Sequence, residues 1–172
     1  IFSPGAARQT FALAAVSRWS QFVDYAREGV WHIWIGFDHV LFLLSLLLPA
    51  VLVREATSWR GVGRFRLALG EVLWVVTSFT VAHSSTLSLA ALEVVSLPSR
   101  LVEAAIAFSV ILAAANNLWP VVQGRRWLVA FGFGLIHGFG FASVLSELGL
   151  PKETLVLSLL GFNVGVEMGQ LA

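Results

Sequence analysis

Two histidines and an aspartate interrupt an otherwise apolar and aromatic stretch, residues 29–42, which reads GVWHIWIGFDHVLF. They are His32, Asp38 and His39, and two more histidines, His83 and His137, lie in later apolar segments. Neutral imidazole is a common ligand of zinc, nickel, copper and iron, and a nearby carboxylate either binds the metal or orients a histidine. The residue types therefore predict a metal or proton-transfer site. Hydrogen bonding between helices is the alternative interpretation.

Further polar residues could complete such a site or continue a path away from it. Asn163 and Glu167 are four residues apart and share one helical face, which is compatible with an ion path or with a helix contact. Glu103 is interpreted equally well as a site residue and as an interfacial residue that faces water. Ser84 follows His83 in a segment rich in serine and threonine, where most hydroxyls are expected to bond to backbone carbonyls.

The composition places these residues in a membrane protein. Hydrophobic residues make up 58% of the chain and charged residues only 12%, with a mean hydropathy of +0.83. Soluble domains carry roughly 25% charged residues, so this chain could not cover a water-facing surface. The net charge of +1 gives no indication of a nucleic-acid partner. The chain has no cysteine, so a metal would have to take nitrogen and oxygen ligands.

The hydropathy pattern predicts an all-α fold, a polytopic transmembrane helix bundle with five visible spans and an N-terminal interfacial helix. A hydrocarbon core requires ~20 apolar residues per helical span. The expected spans are residues 32–53, 67–91, 101–119, 127–148 and 154 onward. Residues 1–28 are expected to form a lead-in with an amphipathic helix at 11–27, and residues 29–172 the transmembrane domain. The chain begins without Met and stops inside an apolar segment, so we expect both ends to be incomplete.

The arginines predict an orientation for this bundle. The loops at residues 54–66 and 121–126 hold six arginines, whereas the loops on the opposite side hold Arg100 and Lys152. Positive charge accumulates on the cytoplasmic side of membrane proteins. We therefore expect both arginine-rich loops in the cytoplasm of a bacterium, with the chain in the inner membrane and its N-terminal side extracytoplasmic.

This topology also predicts the depth of the histidines. In one straight helix, His32 would lie at the outer surface and His39 ~10 Å deeper, on nearly the same face. His83 and His137 would fall in the outer half and near the middle of their own spans. The four histidines could therefore meet in the outer half of the membrane.

The sequence resembles the HupE/UreJ family of membrane proteins, especially its second, larger branch. The stretches that carry the resemblance are GVWHIWIGFDHVLFLL, FTVAHSSTLSLA, VEAAIAFSV, FGLIHGFGFA and FNVGVEMGQLA. The resemblance implies a nickel or cobalt permease, or a metal-binding accessory protein of hydrogenase and urease. It also implies that the motif positions of the family are His32, Asp38, His39, His83 and His137, with Glu103 and Glu167 as its acidic positions.

Three functions are compatible with the sequence. The first is a nickel or cobalt permease or uptake accessory, for which the ligand chemistry alone would equally allow zinc. The second is an intramembrane zinc hydrolase of lipid or peptide, with Asp38 or Glu103 as general base and Ser84 as a polarising donor. The third is a structural subunit whose polar residues hold helices together. The expected partners are membrane lipids, a metal ion and, in the third case, other subunits of a complex.

Overall fold

The computed structural model describes residues 17–55, 58–122, 124–141 and 152–172. Its helices are α1 (Arg18–Ile35), α2 (Phe37–Val51), α3 (Phe65–Ala91), α4 (Ser99–Leu118), α5 (Arg126–His137) and α6 (Lys152–Leu171). An antiparallel hairpin of β1 (Leu52–Glu55) and β2 (Ser58–Gly61) follows α2. The helical fold class is confirmed, and the two strands of the hairpin lie partly within the basic linker that was expected at residues 54–66.

Local chemistry accounts for several helix ends. The Ser17 hydroxyl accepts a hydrogen bond from the backbone N–H of Trp19 at 3.3 Å and caps α1. Pro98, which has no N–H to leave unpaired, precedes the first residue of α4. Pro120 follows α4, where a helix cannot easily continue. Arg125 precedes α5 in the left-handed conformation, with φ of 52°.

Three helices are long and apolar enough to cross a membrane, namely α3, α4 and Thr154–Leu171 within α6. Helices α1 and α2 pass the same test only as a pair, which is bent by 76° at Gly36. The described residues thus contain three or four candidate spans, and a fifth is not confirmed. A continuous first span at residues 32–53 was a wrong prediction, because the helix breaks at Gly36. Of the span predicted at 127–148, α5 is described and residues 142–148 lie outside the described part.

Helix α1 packs lengthwise on α6 through a row of glycines. In chain order, the α6 glycines meet α1 residues as follows: Gly161 at Phe22, Gly165 at Ala26 and Gly169 at Val30. Both series increase together, so the two helices run in the same direction. Close backbone approach through small residues is a main source of helix association in membranes, since lipid tails are as apolar as the side chains.

This packing bears on the amphipathic helix expected at residues 11–27. Its described part, residues 17–27, belongs to α1 and continues without interruption to Ile35. A helix that lies in the membrane interface would cross a spanning helix at a steep angle. Helix α1 instead follows a candidate span along its length, so the packing does not support an interfacial position.

Helices α2, α5 and α6 pack against α3. Gly134 of α5 contacts Phe79, and Gly138 contacts His83, so α3 and α5 are also parallel. Helix α6 runs antiparallel to α3, since Thr77 meets Glu167 and His83 meets Asn163. One apolar cluster includes Leu87 and Phe162, and a second includes Phe42 and Phe79. The histidines lie beside these two clusters.

Candidate functional site

A cavity of about 410 Å³ opens where α1 and α2 meet, and we call it the histidine pocket. Its walls include His32, Gly36, Asp38, His39, Glu103 and His137. Helices α1, α2, α4 and α5 all contribute to it. The pocket therefore brings together five of the residues that the sequence singled out.

The break at Gly36 is what brings His32 and His39 together. The two imidazole rings have centroids 4.6 Å apart, in an edge-to-face arrangement. On a straight helix the seven-residue separation would have placed them ~10 Å apart along the axis. The expected difference in depth is therefore wrong, because the two histidines lie on separate helices that meet at an angle.

Asp38 and His39 form a pair of neighbours. Nδ1 of His39 lies 3.2 Å from Oδ1 of Asp38, and the two side chains are 11% and 50% exposed. A carboxylate only accepts hydrogen bonds, so Nδ1 of His39 carries a proton, and in the neutral form of the ring the lone pair is on Nε2. From the sequence, Asp38 and His39 were expected to point about 100° apart on a helix, and Asp38 could either bind the metal itself or orient a histidine from another helix. The structure shows that Asp38 orients His39 itself.

Gly36 leaves the space for this pair. A Cβ atom at Gly36 would lie 2.6 Å from Nδ1 of His39 and 3.1 Å from Oδ1 of Asp38. Its backbone, with φ of −74° and ψ of 97°, is accessible to other residues. The backbone carbonyl of His32 would also lie 3.0 Å from this Cβ, so glycine is favoured here by the crowding around it and not by its own backbone conformation.

His137 is buried, with 1% of its surface exposed. Its Nε2 lies 2.8 Å from the hydroxyl oxygen of Ser109 on α4, whereas its Nδ1 is buried without a hydrogen-bond partner. Its ring is 4.7 Å from that of Phe42 and 5.7 Å from that of His39. A buried polar atom without a partner costs about 1–3 kcal/mol, so such an atom calls for an explanation.

His83 lies beside the pocket and is not among the residues that line it. Its Nδ1 is 3.4 Å from Oδ1 of Asn163, whose amide nitrogen donates to the carbonyl of Leu159 at 2.8 Å. The ring of Phe79 contacts His83 at 5.9 Å and His137 at 5.4 Å. His83 is therefore linked to the pocket through an aromatic ring and held in place by α6.

The acidic residues take different positions. Glu103 is exposed and lines both the histidine pocket and a neighbouring cavity of about 460 Å³, whose wall also includes Glu93. Glu167 lies farther along α6, where its carboxylate accepts a hydrogen bond from Thr77 at 2.9 Å. Glu103 thus belongs to the pocket, and Glu167 does not.

The α3–α6 interface continues from His83 as a series of polar pairs. After His83–Asn163 come Thr80–Gln170 at 3.1 Å and Thr77–Glu167 at 2.9 Å. Ser84 does not take part, because its hydroxyl donates to the carbonyl of Thr80 at 2.6 Å. The single proton of Ser84 is used there, as the sequence suggested for most hydroxyls of this segment.

Sequence reasoning missed Ser109 and Gly36 as site residues. Both could have been identified from the sequence, since each is a small residue in a segment that carries a predicted site residue: Gly36 lies between His32 and Asp38, and Ser109 lies six residues after Glu103. The aromatic neighbours Phe42, Phe79 and Phe141 carried no signal, because phenylalanine is common throughout the chain. In the part of the chain that the structure describes, no three His, Asp or Glu side chains stand in an arrangement that could hold a metal ion.

A model of the family described as HupE / UreJ protein matches residues 7–172. The match covers nearly the whole chain, so the chain belongs to the HupE/UreJ family, as the motifs predicted. Together with the candidate spans, this identifies an integral membrane protein. Neither the curated proteins nor the solved structures provide a match.

Proposed function

We propose that this protein is a membrane permease for a divalent metal ion, with nickel or cobalt as its substrate and the histidine pocket as its capture site. The observation that carries the proposal is that each of three histidines has one ring nitrogen held by a polar side chain. His39 is paired with Asp38, His83 with Asn163 and His137 with Ser109. Histidines that bind metals are typically oriented in this way through the nitrogen that does not bind.

The broken helix supports the same function. Membrane transporters commonly place ion sites where a spanning helix is interrupted, since the ends of the two half-helices carry partial charges. Here the carboxyl end of α1, which carries partial negative charge, reaches the pocket at Ile35 and Gly36. The amino end of α2, which carries partial positive charge, begins at the same break, so the attraction for a cation would come mainly from the carboxylates of Asp38 and Glu103.

The donor chemistry supports a borderline metal. The pocket offers imidazole nitrogens and carboxylate oxygens, and the chain contains no thiolate. Imidazole suits nickel, cobalt and zinc alike, so nickel and cobalt are favoured through the family resemblance. The polar pairs between α3 and α6 would continue the route of the ion from His83 and Asn163 to Glu167, with Gln170 about one turn farther along α6.

In this proposal the ion moves toward the cytoplasm of a bacterial cell. The arginine-rich loops at residues 54–66 and 121–126 face inward, in accordance with the positive-inside tendency. Helix α1 then begins outside and descends toward the break. The capture site would be reached from the outer side, past Glu103 and the neighbouring cavity that it also lines.

The test is metal uptake by proteoliposomes that contain the purified protein and an entrapped metal indicator. We expect uptake of nickel or cobalt by the wild type, a loss of uptake in His39→Ala and His137→Ala, and wild-type uptake in Ser85→Ala. Ser85 is a matched control because its hydroxyl bonds only to its own helix, at the carbonyl of Val81. Absence of nickel and cobalt uptake by the folded wild-type protein would contradict the proposal.

A separate variant tests the route. Glu167→Gln keeps an oxygen that can accept from Thr77 but removes the negative charge. We expect uptake to slow while the affinity of the histidine pocket for the metal stays at the wild-type value. If affinity and uptake fall together, Glu167 acts on the capture site or on folding, and the proposed route is wrong.

A further inference from the structure

Ser109 makes two short contacts in the interior of the bundle. Its hydroxyl oxygen lies 2.6 Å from the carbonyl oxygen of Ile106, one turn earlier on α4, and 2.8 Å from Nε2 of His137 on α5. Ser109 and His137 are each only 1% exposed. Neither contact is open to competition from bulk water, so the two distances determine where the protons lie.

The serine hydroxyl carries one proton, and a carbonyl oxygen can only accept. The shorter contact, to Ile106, therefore uses this proton, and the hydroxyl oxygen is left to accept a hydrogen bond from His137. A neutral imidazole carries its proton on one nitrogen and a lone pair on the other. With the proton on Nε2, the lone pair is on Nδ1, which is the nitrogen that has no partner.

We propose that Ser109 is a positioning residue that holds His137 in the Nε2–H tautomer, so that Nδ1 is the nitrogen offered to the metal ion. The second part of this statement rests on the proposed function, whereas the tautomer itself does not. His39 is in the opposite arrangement, because Asp38 holds the proton of His39 on Nδ1. Two neighbouring rings, with centroids 5.7 Å apart in an edge-to-face arrangement, thus carry their lone pairs on different nitrogens.

The tautomer is measured on the metal-free protein, labelled with ¹⁵N-histidine in detergent micelles. The chain has four histidines, and the His137 signals are assigned by their loss in His137→Gln. We expect Nε2–H in the wild type, a mixture or a reversal in Ser109→Ala, and the wild-type pattern in Ser109→Thr, which restores a hydroxyl. The control Ser85→Ala also removes a hydroxyl that is bonded to a backbone carbonyl one turn earlier, and should leave the signals unchanged.

Titration of the same samples with nickel chloride tests the role of the nitrogen. Loss of a partner that orients a metal-binding histidine typically lowers affinity by about 10–100-fold. We expect a loss of that size in Ser109→Ala and recovery in Ser109→Thr. An Nδ1–H tautomer in the wild type, or an unchanged tautomer in Ser109→Ala, overturns the inference. If the tautomers follow the expectation and the wild type binds no metal, the tautomer assignment stands and the assignment of Nδ1 to a metal is overturned together with the proposed function.

Discussion

Gly36→Ala adds one carbon atom at the break between α1 and α2, and its effect can be worked out from the contacts there. The new Cβ would lie 2.6 Å from Nδ1 of His39, whereas ordinary van der Waals contact begins at 3.4 Å. The ring would have to move by about 0.8 Å, the difference between these two distances. The bond between His39 and Asp38, now 3.2 Å long, is already at the long end of the usual range and would not survive such a shift.

The lost pair sets the expected magnitude. A partner that orients a metal-binding histidine contributes about 10–100-fold in affinity, which corresponds to about 1.4–2.8 kcal/mol. We expect Gly36→Ala to weaken nickel binding by that factor in isothermal titration calorimetry of the protein in detergent. Gly132→Ala is the matched control, because nothing lies within 4 Å of a Cβ at that position. Wild-type nickel affinity in a folded Gly36→Ala protein would refute the reasoning.

Three other predictions follow from the same contacts. Asp38→Asn should lower nickel affinity by about 10–100-fold without any steric change, because a neutral amide holds the proton of His39 less strongly than a carboxylate and can also present its NH2 group to Nδ1. Calorimetry checks this, and an unchanged affinity would count against the pair. Gly165→Ala should lower the free energy of unfolding by about 1–3 kcal/mol or more, because the added methyl group would clash with the backbone of α1. Gly70→Ala should leave the free energy of unfolding unchanged, since nothing lies within 4 Å of a Cβ there. Denaturant titration in micelles compares the two variants. A single cysteine replacing Leu44, which is exposed on α2 and does not line the histidine pocket, should resist a membrane-impermeant maleimide applied to intact vesicles, whereas one replacing Arg18 should react. Equal labelling of the two would contradict the placement of α2 within the membrane.

The helical class and the residues of the pocket could be predicted because both depend on composition and residue type. Few charges and long apolar segments predict membrane helices, whatever their packing. Histidines and acids inside such segments stand out from their neighbours, so His32, Asp38 and His39 were identified without any geometry. The pairing of Asp38 with His39 was not predicted, since it depends on the conformation at a helix start.

The break itself could not be predicted from the pattern. An isolated glycine within an apolar segment is common in membrane helices and is often tolerated without a kink. Gly36 breaks the helix in a setting where α1 is held along α6 and α2 lies against α4, and these contacts are not visible in a local pattern. The same holds for Ser109, which is one hydroxyl among several until the position of α5 places His137 beside it.

The break also changes the depth at which a site would lie. His32 is 14 residues beyond Arg18, which is about 21 Å along α1, and α2 adds 15 residues, or about 22 Å, beyond the break. Because α1 runs parallel to a candidate span along its length, its axial distance counts largely as depth. In the proposed topology, His32 therefore lies well below the outer surface where a straight helix would have placed it, whereas α2 leaves the break at 76° and adds little further depth. A metal ion that enters the histidine pocket past Glu103 would exchange part of its hydration for imidazole and carboxylate groups. The paired histidines at the break provide groups of that kind, and the polar pairs between α3 and α6 continue them.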